Sequence, residues 1–178
     1  MEKEEYAIVL DYLPHGYPLE GKMISIAQVI GEMNLVLLEL IPRRGVSLEV
    51  GEKVYIGEGK RDKIYYILGR LKKEKITESS KEQLHNIIGK IVEEKEEEFV
   101  NFFNKSESIN KRIHQIELLP GLGKKYMKEI LEQRKINAFK SFEDIKKRIQ
   151  NLPFPEKAIE KRIFQELTTD ERYKLFTQ

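Results

Sequence analysis

The hydrophobic period changes once along this chain, near Thr77, and that change governs which folds are open to it. Up to that point apolar residues come in short runs bounded by turn formers. Residues 6–10 are apolar and partly β-branched, and they stop at Leu13-Pro14-His15-Gly16-Tyr17-Pro18, where two prolines and a glycine favour a loop. Residues 23–30 and 35–41 are two more such runs, and period alone leaves each open as a buried strand or a short helix. Residues 50–57 alternate like a strand with one buried face; residues 64–71 follow a turn rich in glycine and charge, and the two together predict a hairpin. Short strands with glycine-bearing turns point to a small closed barrel, of which the OB type is one. From Thr77 onward Leu84, Ile87, Ile88, Ile91 and Val92 recur at three-and-four spacing, and Phe99, Phe102 and Phe103 extend it. This predicts one helix over 80–103, roughly 35 Å long at about 1.5 Å per residue. Strands first and helices afterwards is the order of an α+β chain. The expected layout is an N-terminal small OB-like β-barrel over 1–76, a long connecting helix over 77–106, and an all-α unit over 107–178.

Composition removes several function classes. Of the 178 residues 35% are charged, mean hydropathy is -0.52, and no apolar run approaches the roughly 20 residues of a bilayer span. Met1-Glu2-Lys3-Glu4-Glu5 is acidic and leads straight into an apolar segment, unlike a secretory leader, so the chain reads as soluble and cytoplasmic. With no cysteine there is no disulfide, thiolate metal site or cysteine nucleophile. His15, His85 and His114 lie far apart, so neither a zinc site nor any other cofactor is expected. Charge is unevenly spread: residues 111–178 carry a net +6 and residues 1–110 a net −4. A basic rear behind an acidic front suggests a module that binds polyanions.

The stretch that carries chemistry is 113–134. Ile113, Ile116 and Leu119 share one face of an expected first helix, which Pro120 ends because proline lacks the amide proton and restricts its predecessor. Gly121 and Gly123 permit a tight turn with no Cβ over the backbone. A second helix then starts near Gly123, with Ile130 and Leu131 turned back on the first. The first four amides of a helix lack internal partners and sit at the positive end of its dipole, so a phosphate is stabilised there. Lys124, Lys125 and Lys128 add mobile cations. Amides hold phosphate without reading bases, so such a site positions a polynucleotide and does not specify its sequence.

Leu-Pro-Gly-Leu-Gly at 119–123 with its apolar flanks resembles the helix-hairpin-helix motif of DNA- and RNA-binding proteins, although Met127 stands where that motif usually has a small residue. Downstream, Ser141-Phe142-Glu143-Asp144 reads as a capping box, and Leu152-Pro153-Phe154-Pro155 as the glycine-free turn of a second, degenerate hairpin. The order Tyr-Ala-Ile-Val-Leu-Asp-Tyr-Leu-Pro, Gly-Glu-Lys-Val-Tyr-Ile-Gly, Phe-Val-Asn-Phe-Phe-Asn and Leu-Leu-Pro-Gly-Leu-Gly-Lys-Lys is similar to the archaeal domain-of-unknown-function family 655. That resemblance runs from about residue 5 to residue 176. It implies an OB-like barrel joined to a tandem helix-hairpin-helix unit and binding to nucleic acid, with no assigned reaction.

The expected activity is therefore non-catalytic, largely sequence-independent binding of DNA or RNA. Gly121, Leu122, Gly123 and Lys124 would hold one phosphate, and Lys125, Lys128 and Arg134 its neighbours. Arg43, Arg44, Lys60 and Arg61 in the barrel turns would add a second surface. Two alternatives stay open. A nucleic-acid-processing enzyme would draw on Asp144 or Asp11, and a protein-interaction adaptor would dock through the acidic run at 93–98.

Overall fold

A computed structural model describes residues 3–178, and the chain divides into two compact units. One holds the residues up to Ile87 together with Glu166–Gln178; the other is Ile88–Gln165.

The first unit is a curled five-stranded antiparallel half-barrel. Its strands are β1 (Tyr6–Leu13), β2 (Ile26–Gly31), β3 (Leu37–Pro42), β4 (Lys53–Tyr55) and β5 (Ile64–Arg70), in the order β4-β1-β2-β3-β5. The two ambiguous runs, 23–30 and 35–41, are thus strands. The closed barrel expected from the turn spacing does not form, and neither does the hairpin of 50–57 with 64–71: β4 pairs with β1, β5 pairs with β3, and the sheet is open between them. Adjacency in sequence is the wrong guide here, because both strands pair with partners distant in sequence: β4 with β1 and β5 with β3.

Parity sorts the side chains. Val9 faces Val29, and Tyr12 faces Ala27; with Leu40, Val54 and Ile64 they line the inside of the curl. Between Val9 and Asp11 the register shifts by one extra residue, the fully buried Leu10. Such a bulge bends a strand and adds twist. The opposite face carries Asp11, Gln28 and Glu39 side by side across three strands. Gln28 is fully buried and fully used. Its Nε2 donates to the Lys75 carbonyl at 2.7 Å and the Tyr17 hydroxyl at 3.1 Å, and its Oε1 accepts from Ser80 Oγ at 2.7 Å and the Thr77 amide at 3.1 Å. Asp11 accepts from Thr77 Oγ1 at 2.7 Å and Glu39 from the Tyr17 hydroxyl at 2.7 Å, and burial pushes the Tyr17 pKa upward.

After β5 the regular elements are all helical. The helix expected over 80–103 is two: α1 (Glu78–Glu94) and α2 (Glu96–Lys105), parted at Lys95, whose φ of -107° and ψ of 33° leave the helical basin. Phe99 and Phe103 enter the core. The first arm of the expected helix-hairpin-helix is not an α-helix either but a 3₁₀ turn over Gln115–Leu118, capped by His114, whose Nδ1 accepts from the Ile116 amide at 3.2 Å. Then come α3 (Lys124–Ile136), α4 (Phe142–Arg148) and α5 (Pro155–Thr168). Ser141 caps α4 through its Oγ, 2.9 Å from the Asp144 amide. Ile116, Leu119, Leu122, Ile130, Ile145 and Ile159, from these helices and the turn between them, are each buried. Among the described residues no helix is long and apolar enough to cross a membrane.

Candidate functional site

The turn from Leu119 to Gly123 presents its backbone to solvent while anchoring itself with side chains. Leu119 and Leu122 are buried at 1% exposure each, and Gly121 and Gly123 between and beyond them are exposed. The Leu122 amide donates to the Leu119 carbonyl at 3.1 Å, which closes the turn. Gly121 has φ of 83°, a left-handed conformation that an L side chain adopts only at a cost. Gly123 is the N-cap of α3 in extended geometry, and a Cβ built there meets nothing within 4 Å. No side chain caps this helix and its first turn contains no acid. The amides of Lys124, Lys125 and Tyr126 have no acceptor among the described residues, so three donors open at the positive end of a 13-residue helix.

Of the cations expected here, Lys124, Lys125 and Lys128 are exposed, on the first turn and a half of α3. Arg134 is not with them. In the last turn of the helix, its Nη1 donates to the Phe103 carbonyl at 3.1 Å, to the Ser106 carbonyl at 2.9 Å and to Ser106 Oγ at 3.1 Å. Desolvation holds its pKa below the usual guanidinium range. Arg134 is a strut that satisfies the carbonyls where α2 ends.

A second turn lies against the first. The Tyr126 hydroxyl donates to the Asn151 carbonyl at 2.8 Å, and a Cβ at Gly121 would sit 3.9 Å from Pro153 Cγ. Asn151 supplies the left-handed residue, φ 60°, that glycine supplies in the first turn. Beside it Phe154 is 55% exposed, with the Lys146 ammonium over its ring. The sequence reading of Leu-Pro-Phe-Pro as a glycine-free structural turn gives no signal that the Phe154 ring is exposed.

In the half-barrel, Arg43 and Arg44 leave the end of β3, and Lys60 and Arg61 lie in the loop before β5. The structure joins two of them: Arg43 Nε donates to the Arg61 carbonyl at 2.7 Å, and Arg61 Nε in turn donates to the Gly57 carbonyl at 2.8 Å. Arg43, Arg44 and Lys60 are exposed. A cleft of about 610 Å³ opens where β4 and β5 fail to pair, with Leu38, Ile56 and Ile67 as its apolar lining and Arg61 and Arg70 among its rim residues. The exposed Tyr65 and Tyr66 beside this group were missed, since the alternating pattern of 64–71 assigns half of such residues to a core.

The acids have structural partners. Asp144 Oδ2 accepts from the Lys140 amide at 3.0 Å and pairs with Arg148 at 3.4 Å. In the run 93–98, Glu96 accepts from the Phe142 amide at 2.9 Å. Glu93, Glu94 and Glu97 border a groove of about 630 Å³ whose other side is Phe139 and Lys140. Among the described residues no group of three or more His, Asp or Glu is placed to hold a metal.

Comparison with known proteins gives a consistent picture. The family model described as "Protein of unknown function (DUF655)" matches residues 3–178. An uncharacterised protein of Methanocaldococcus jannaschii is 43% identical over 173 residues, which is 97% of this chain and 78% of that relative. The crystal structure of Af1531 from Archaeoglobus fulgidus is similar with a TM-score of 0.86 at 44% identity, covering 98% of this chain and all of that one.

Proposed function

The chain belongs to the DUF655 family, and on that premise we propose that it is a non-catalytic, largely sequence-independent nucleic-acid-binding protein that grips the phosphate backbone at the Gly121–Leu122–Gly123 turn. One observation carries this reading: the bend is exposed, uncapped and free of first-turn carboxylates, with three unpartnered amides and three exposed lysines around it. A phosphate placed there takes charge-assisted hydrogen bonds from the backbone, the stronger class of such bonds. The neighbouring turn at 149–154 would act as a brace, in the manner of a second hairpin, through the Tyr126 hydroxyl bond to the Asn151 carbonyl.

Fluorescence anisotropy of labelled duplex DNA and duplex RNA, titrated at several salt concentrations, tests it. Four to six phosphate contacts would give a slope of log affinity on log salt of roughly −3 to −5. Absence of binding to either duplex, or binding that ignores salt, would refute the proposal; turnover of either probe with Mg²⁺ would replace it with an enzyme.

A second reading has its own observation, the Glu-bordered groove beside α2, which suits a basic protein segment. Partners that survive nuclease treatment in a pull-down would favour that adaptor role.

A further inference from the structure

The free edge of the half-barrel is an unusual one. β5 has a single buried residue, Ile64, and shows two adjacent rings to solvent, Tyr65 at 67% and Tyr66 at 54% exposure, followed by Leu68 at 47%. Two bulges cause this. Pairing runs Ile64 with Pro42, Tyr66 with Ile41, Ile67 with Leu40 and Gly69 with Glu39, so Tyr65 and Leu68 are each the extra residue of a register shift. Bulges re-aim side chains, and they bend and twist an edge so that it no longer accepts a further strand. The hydroxyls of Tyr65 and Tyr66 make no hydrogen bond among the described residues, so the rings are not held as structural struts.

The surroundings are cationic. Residues 60–72 contain five Lys or Arg against one acid, Asp62. Arg43 and Arg44 join them, because the Arg43 amide donates to the Lys63 carbonyl at 2.8 Å, two residues before Tyr65. Two further carboxylates of this unit are paired: Glu52 with Lys63 at 2.6 Å, and Glu58 with Lys3. Aromatic faces beside cations, on an edge that a strand cannot join, suit one occupant.

We propose that the bulged β5 edge is a stacking platform for the unpaired bases of a single-stranded nucleic acid, with Tyr65 and Tyr66 as the rings and Arg43, Arg44 and Lys60 as its phosphate partners. Every base has a π-face, so stacking tolerates any sequence, and the cations follow the backbone between stacked bases. This deepens the nucleic-acid reading above: it rests on the chain being a polynucleotide binder and adds unpaired bases as the ligand of a different surface.

The test uses the full chain and fluorescein-labelled oligothymidylate, with an abasic strand of equal length and a duplex as comparison probes. Tyr65→Ala and Tyr66→Ala should each weaken oligothymidylate binding roughly fivefold or more and leave duplex binding within twofold. Tyr65→Phe and Tyr66→Phe should retain it, since the ring is kept. Wild-type protein should bind the abasic strand well below oligothymidylate, an arm that decides the matter even if an alanine variant fails to fold. Equal affinity for abasic and base-bearing strands, or alanine variants that bind like wild type, would overturn the proposal. So would a dimer in sedimentation velocity that the alanine variants dissolve, since the edge would then be covered by a second copy. Duplex binding lost in Gly123→Asp with no oligothymidylate binding by wild type would sink this inference alone; no binding to any probe would sink both readings.

Discussion

Gly123→Asp makes stability and binding move in opposite directions. Gly123 has φ of -82° and ψ of -173°, ordinary extended backbone for any residue, and open space where its Cβ would go. It is the N-cap of a helix that no side chain caps at present. Aspartate is among the preferred N-caps and gains a few tenths of a kcal/mol over glycine there. Its charge at the positive end of the dipole adds about 0.3–1 kcal/mol. The variant should therefore be more stable by about 0.5–1 kcal/mol, a rise in melting temperature of roughly 1–4 °C for a chain of this size. The same carboxylate takes the amides that a phosphate would use. Losing a set of hydrogen bonds to a charged group costs about 1.5–3 kcal/mol, so duplex affinity should fall roughly tenfold to a hundredfold, and the salt slope should shrink by about one. Circular-dichroism melts and anisotropy titrations read the two quantities on one preparation. Gly123→Ala, which adds a single methyl in open space and no charge, should bind within a few-fold of wild type. An aspartate variant that melts several degrees lower, or binds duplex like wild type, would refute the reasoning.

Three further outcomes follow from the geometry. Gly121→Ala should lower stability by about 1–2 kcal/mol, because φ of 83° is a left-handed conformation and the added Cβ meets no clash that would mask the effect; thermal melts check it. Gln28→Leu leaves the Thr77 amide and the Lys75 carbonyl without their partner and removes one of the Ser80 Oγ bonds, at about 1–3 kcal/mol for each group that water fails to reach, so urea unfolding should show a loss of about 2 kcal/mol or more. His114 is held below its ordinary pKa by burial and then by Arg134, with Glu117 opposing, and as a neutral ring it accepts from the Ile116 amide. The unfolded chain therefore binds the extra proton first, and stability should decline as pH falls below about 6.5, the unperturbed histidine value. His114→Asn keeps an acceptor at the cap without a titrating ring, so its melting temperature should fall less than that of wild type between neutral and mildly acidic pH.

Much of the fold was legible because its determinants are local. The change of period at Thr77 and the turn formers at 13–18 are properties of neighbouring residues and act as read, while the capping box at 141–144 forms by half: Ser141 caps the Asp144 amide, but the Asp144 carboxylate accepts from the Lys140 amide. What escaped depends on partners distant in sequence. Nothing in 64–71 reveals that β5 pairs with β3 rather than β4, or that bulges expel Tyr65. Lys95 looks like any helical lysine, yet the chain leaves the helical basin there. At the candidate site, glycine and lysine positions could be read because backbone exposure follows from the missing Cβ. Arg134 could not, since its role is set by the Phe103 and Ser106 carbonyls some thirty residues earlier.

The single supernumerary residue in β1 has a wider meaning. On either side of Leu10, Val9 stays opposite Val29 and Asp11 opposite Gln28, neighbours in an unbroken β2. A chain lacking Leu10 would keep all those cross-strand partnerships and yet lose the crease around which the sheet rolls. Curvature in this unit is thus carried by the length of one strand relative to the next, independently of which amino acids fill it. Counting errors of one residue, harmless in a surface loop, would here flatten the wall that gives the unit an interior.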